Sequence, residues 1–196
     1  MAGPMLGVLV LATSATLAQA PQTPLVREAK AMTPGGFTEM FVATVMPTPD
    51  GHTVVLVNPE EEVLLPVGVA LPEAVTIYGR LEHKKAPRPM THDLLDGVVA
   101  ALGARVVRVQ IEDLVDGQFV GTVILQGKGG VAAVALDARA ADALALALSA
   151  KAPIFVAKPV MERAALSHDD LKRMPGGDAA PALPPSPEGK ARVFDL

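Results

Sequence analysis

Apolar and polar residues alternate along Phe37 to Met46, where Phe41, Ala43 and Val45 fall on one face. Short apolar or β-branched runs follow at Thr53 to Val57 and Glu62 to Val67. Alternation at period two marks a half-buried strand, because successive side chains point to opposite faces of a sheet. Asp50-Gly51 and Asn58-Pro59 place turn-forming residues between the runs, so three strands are predicted. Leu71-Pro72-Glu73-Ala74 then opens a helix that extends to about Glu82. Its proline stands in the first turn, where a backbone N–H has no helical partner to lose. A second helix is predicted from Thr91, read as the N-cap, to the C-cap Leu102-Gly103.

The second half begins the pattern again. Val107, Val109 and Ile111 alternate with Arg108, Gln110 and Glu112, Asp116-Gly117 turns the chain into a strand over Phe119 to Leu125, and Gly127 to Gly130 turns it into Val131 to Leu136. Ala141 to Ala150 alternates locally, but its alanines and leucines are strong helix formers and predict a helix. A short strand at Ile154-Phe155-Val156 and a short helix from Pro159 follow. Glu73-Ala74-Val75 and Asp142-Ala143-Leu144 occupy the same place after a third strand, and Lys85-Ala86-Pro87 and Lys151-Ala152-Pro153 recur at nearly the same offset. The expected fold is α+β: two diverged β3α2-type repeats forming one antiparallel-rich mixed domain over residues 37–165.

Composition sharpens this picture. Half of the 196 residues are apolar, but five Phe, one Tyr and no Trp leave the core to Val, Leu, Ala and Met. The net charge of −4 advertises no polyanion partner, so nucleic-acid binding would need a local basic patch. Lys84, Lys85 and Arg88 form that patch or a solvated loop, and aromatic surface for stacking single strands is scarce. The absence of cysteine excludes disulfides and thiolate zinc sites. Residues 1–20 carry no charge and end in Ala18-Gln19-Ala20, the pattern of a signal peptide, which implies export to the periplasm or medium. The alternative is an uncleaved N-terminal anchor, because Pro21 follows the cut and no Lys or Arg precedes the apolar run. That run falls short of the ~20 residues of a membrane span. Residues 21–36 are expected to be a flexible segment and 166–196 a disordered Pro/Gly-rich tail, in which His168-Asp169-Asp170 reads as compositional noise.

Two polar runs stand out: Ala86-Pro87-Arg88-Pro89-Met90-Thr91-His92-Asp93-Leu94-Leu95, and Leu136-Asp137-Ala138-Arg139-Ala140-Ala141-Asp142-Ala143 about fifty residues later. Both bring charged groups to helix starts, where free N–H groups favour anions. They also suit plain helix capping. With Leu65-Pro66-Val67, Glu73-Ala74, Leu102-Gly103-Ala104, Val109-Gln110-Ile111-Glu112-Asp113-Leu114, Asp116-Gly117-Gln118-Phe119 and Ala152-Pro153-Ile154-Phe155-Val156, they make the chain resemble the bifunctional nuclease domain family from about Phe37 to Ala165. The resemblance implies cleavage of DNA and RNA, and so nucleic acid as partner. The chain departs from the family pattern at Gly68 and Ala70. It departs again at Ala141, where a serine usually stands beside the acid.

Phosphodiester hydrolysis requires an activated water, charge stabilisation at phosphorus and help for the leaving oxygen. A divalent metal such as Mg²⁺ on carboxylates supplies all three; a histidine with arginine clamps is the metal-free route. Sequence leaves the choice of cofactor open. The catalytic candidates are His92, Asp93, Asp137 and Asp142, with Glu73 as a further acid, and Arg88 and Arg139 are candidate phosphate clamps. Each has a structural alternative: Asp93, Asp142 and Glu73 as first-turn carboxylates, Asp137 and Arg139 as an ion pair, His92 as a hydrogen-bonded core residue. No His-Glu-x-x-His zinc helix is present, and Gly127 to Gly130 reads as a hairpin turn rather than a phosphate loop. The expected enzyme is a nuclease, a hydrolase of phosphodiester bonds. The rival is a non-catalytic exported module of the same fold, either a homo-oligomeric scaffold or a small-anion binder.

Overall fold

The computed structural model describes residues 24–30, 32, 35–49, 51–58, 60, 62–130, 132–167 and 170. The expected signal peptide and residues 171–196 of the expected tail lie outside the described residues. In chain order the elements are β1 (Val26–Glu28), β2 (Phe37–Thr48), β3 (Gly51–Asn58), β4 (Val63–Val69), α1 (Leu71–Leu81) and α2 (Thr91–Ala101). They continue with β5 (Arg105–Val115), β6 (Gln118–Gln126), β7 (Val134–Arg139), α3 (Ala140–Ala150), β8 (Ile154–Ala157), α4 (Lys158–Ala164) and β9 (Leu166–Ser167). The architecture is α+β.

One nine-stranded mixed sheet runs β1-β7-β6-β5-β8-β2-β3-β4-β9. Two antiparallel meanders, β2-β3-β4 and β5-β6-β7, are joined by β8, which lies parallel to β5 and antiparallel to β2. A helix follows each meander, α1 after β4 and α3 after β7. Between α3 and α4 the chain makes β8, whereas it passes from α1 to α2 without a strand.

Alternation decides which face of the sheet is apolar. Val54, Leu56, Val109, Ile111, Val123, Ile154 and Val156 form the core with Met40, Leu65 and Ile77. Ala143, Leu144, Ala145, Leu146 and Ala147 bury nearly the whole circumference of α3 against it. The small alanines let α3 sit close to the sheet. Gly121 on β6 extends this, since a Cβ there would lie 3.1 Å from Ala138 O and from the backbone of Ala140. By contrast, α2 has no buried residue.

Several expectations change. Val26–Glu28, placed by sequence in a flexible segment, pairs with β7 in the register Val26↔Leu136. Leu166–Ser167, at the start of the expected tail, pairs with β4. Thr91 is not the N-cap of α2: Met90 holds that place, with extended backbone (φ −90°, ψ 176°). The Asp93 carboxylate accepts the Met90 N–H at 2.9 Å, satisfying from inside the helix a donor of the kind that capping must pair.

Candidate functional site

Each polar run ends by starting a helix, and tertiary packing brings those starts together. Arg139 closes β7 and takes the N-cap of α3 with extended backbone (φ −66°, ψ 146°). Asp142 lies in the first turn of α3, Glu73 in that of α1 and His92 in that of α2. Arg139 grips Asp142 with two bonds, Nε to Oδ2 at 2.7 Å and Nη2 to Oδ1 at 3.0 Å, and Nη2 also donates to Glu73 Oε1 at 2.6 Å. His92 Nε2 lies 3.0 Å from Asp142 Oδ1. Glu73, Arg139, Asp142 and His92 therefore form one continuous chain of polar contacts.

The four side chains differ in access. Arg139 is 66% exposed, while His92, Glu73 and Asp142 are 12%, 10% and 27% exposed. An open cation thus sits over shielded acids and a shielded imidazole. Burial opposes ionisation of Asp142, but hydrogen bonds from Arg139 and His92 outweigh it and hold its carboxyl below the ordinary range. Donating to Asp142, and secondarily to Glu73, raises the Arg139 guanidinium above its already high value against the cost of burial. Glu73 Oε2 is buried with no hydrogen-bond partner. Helix starts add partial positive charge from unpaired N–H groups, which the Glu73 and Asp142 carboxylates of the cluster partly offset.

The remaining candidates fall elsewhere. Asp93 turns away from His92: Oδ2 caps Met90 and Oδ1 meets Arg80 Nη2 at 3.1 Å. The Met90 N–H first, and Arg80 second, hold its carboxyl below the ordinary range. Asp137 is half-buried on β7 in register with Thr122, and among the described residues no side-chain hydrogen bond joins it to the cluster. Its expected pairing with Arg139 is not formed, because Arg139 is taken by Asp142 and Glu73. Arg88 is exposed in the loop between α1 and α2, outside the cluster. Among the described residues no three His, Asp or Glu side chains are grouped as metal ligands.

A second tie went unread in the sequence. Arg80, 11% exposed, bonds Asp93 and Asp96 of α2 and the Ala145 carbonyl of α3. Ser149 Oγ also donates to Asp96 at 2.7 Å. This network pins α2 to α1 and α3 and so holds His92 in place. A basic residue in the last turn of α1 was the sole signal, and helix-dipole compensation already explained it.

Two proteins of Mycobacterium tuberculosis, from strains CDC 1551 / Oshkosh and ATCC 25618 / H37Rv and each described only as uncharacterized, are similar to this chain. Each is 34% identical over 102 residues, which is 52% of this chain and 59% of the relative. The chain therefore spans less than two thirds of their length. The model of the bifunctional nuclease domain matches residues 54–169, more than half of the chain. That span holds Glu73, His92, Arg139, Asp142 and the Arg80 tie, and the chain belongs to the bifunctional nuclease domain family.

Proposed function

We propose that the protein is a nuclease-type phosphodiesterase acting on DNA or RNA, with its centre at His92, Asp142 and Arg139. The observation that carries this reading is the Asp142–His92 contact beside an exposed arginine at three helix starts. Asp142 orients the imidazole through Nε2. With Nε2 engaged by Asp142, Nδ1 is the nitrogen left to take a proton from the attacking water. The water oxygen bonds to phosphorus, the bond to the leaving sugar oxygen breaks, and that oxygen takes a proton from solvent. Arg139 keeps Nη1 outside its bonds to Asp142 and Glu73, which leaves it to hold a non-bridging phosphate oxygen. Asp93 enters this reading as a positioning residue, through the start of α2 and Arg80.

A second reading is favoured by one observation: both Asp142 oxygens and Glu73 Oε1 are already paired. A clasp that only fastens three helices would look the same and do no chemistry. Cleavage of plasmid DNA and a structured RNA by the full chain, with Mg²⁺, with Mn²⁺ and with chelator, separates the two. Removing a general base costs roughly 10²–10⁴-fold, and His92→Ala is expected to lose activity on that scale with its circular dichroism intact. Equal cleavage by wild type, His92→Ala and Asp142→Asn would sink the assignment, and no cleavage in any lane would favour the clasp.

A further inference from the structure

The far end of α1 borders a groove of about 1720 Å³, lying between β2, the loop after α1 and the turn after α3. Its walls include Tyr78, His83, Lys84, Lys85 and Lys151, and it reaches Met90 and Asp93, which flank His92 in the chain. Two glutamates, Glu39 and Glu60, line it with the three lysines, while Arg80 is held by Asp93 and by Asp96 of α2. The balance is basic in a chain of net charge −4. Lysines after helix C-termini offset the carbonyl ends of α1 and α3, which accounts for Lys84 and Lys151 alone.

That explanation does not reach Tyr78. The chain has one tyrosine, and it stands 43% exposed on this wall. Lys84 Nζ sits 4.9 Å from its ring centroid and 3.4 Å from its hydroxyl. An exposed ring among lysines is the local arrangement on which single-strand binders stack a base and hold its phosphates. Duplex bases are already stacked and have no free face to offer such a ring.

We propose that this groove binds single-stranded polynucleotide, with one base on Tyr78, neighbouring phosphates on Lys84, Lys85 and Lys151, and the strand continuing past Met90 towards His92. The proposal rests on the nucleic-acid reading above and supplies it with a substrate track. It stays within the sequence expectation that stacking surface is scarce, because one platform serves one base.

Anisotropy of a fluorescent twelve-nucleotide oligothymidylate, beside a labelled hairpin duplex, tests it on the full chain. Stacking of one base implies that Tyr78→Ala weakens the oligothymidylate about 5- to 100-fold while Tyr78→Phe restores binding. The pair Lys84→Glu with Lys85→Glu should flatten the salt dependence by about 0.7 in slope per lost phosphate contact. Lys158→Glu on α4, exposed and outside the groove, should change little. Binding unaffected by the groove variants, a duplex held as tightly as the single strand, or equal losses from Lys158→Glu would each overturn the proposal. So would a wild type that binds no oligothymidylate. Cleavage is scored separately: groove-dependent binding without cleavage keeps the groove and rejects the nuclease, and His92-dependent cleavage with unaltered groove variants does the reverse.

Discussion

Asp142 shows how one side chain can tie two helix starts together. Its carboxylate accepts from Arg139 and from His92, and those bonds hold its pKa below the ordinary carboxylate range despite burial. A depressed folded value stabilises the fold above the unfolded pKa, about 3.9 for Asp, and that contribution is lost as pH falls through the folded value. Hydrogen bonds to charged groups contribute about 1.5–3 kcal/mol each; Asp142→Asn should cost about that at neutral pH, since Glu73 still holds Arg139. Urea midpoints at pH 7 and pH 3 check it: the gap between wild type and variant should be smaller at the lower pH. An equal gap at both would show that Asp142 gains nothing from its charge. His92, Arg139 and Asp142 could be singled out in the sequence because each is a polar residue at a predicted helix start; that they meet one another could not. Arg80 was not singled out, because its partners Asp93, Asp96 and Ala145 lie 13, 16 and 65 residues away and no local pattern links them.

At the scale of elements, the site depends on how closely α3 can begin against the sheet. Gly121 sits where a Cβ would press on Ala138 O and the backbone of Ala140 at 3.1 Å, two residues before Asp142. Both obstacles are backbone, so neither can swing aside. Overpacking of this kind costs about 1–3 kcal/mol. Gly121→Ala is expected to destabilise by that amount and to lower any cleavage activity without touching a candidate residue. Thermal melts beside kinetics at a temperature where both proteins are folded make the check, and unchanged activity would mean that the β7–α3 junction tolerates displacement. The helices were legible from propensity and termini. The cap of α2 was misplaced by one residue: Met90 keeps extended backbone and gives its N–H to the Asp93 carboxylate, so Thr91 is already inside the helix.

For the whole molecule, β8 makes two meanders into one sheet, and α3 packs against β5 and β6 of one meander and β4 of the other. Leu144, fully buried, contributes to the core shared by β3, β4, β5 and β6. Leu144→Ala should cost about 2–5 kcal/mol, transfer and cavity together. It should lower one common midpoint rather than split the transition, as a single cooperative core requires. Coincident loss of far-ultraviolet signal and of Tyr78 fluorescence in wild type and variant tests this, and two separated transitions would show that the meanders unfold independently.

By itself the sequence determined the order of strands and helices from Phe37 to Ala164, the α+β class, and the two polar runs at helix starts. Periodicity, turn residues and propensity act within a few residues, so they can be read along the chain. Tertiary structure decided the rest: the parallel pairing of β8 with β5, the strands at Val26–Glu28 and Leu166–Ser167, and the partition of the polar candidates. His92, Arg139 and Asp142 join with Glu73, while Asp93 turns to Arg80 and Asp137 and Arg88 stay apart. Those outcomes depend on which side chains meet across long sequence separations, and only the packed core, by setting α1, α2 and α3 against one another, brings them within hydrogen-bond distance.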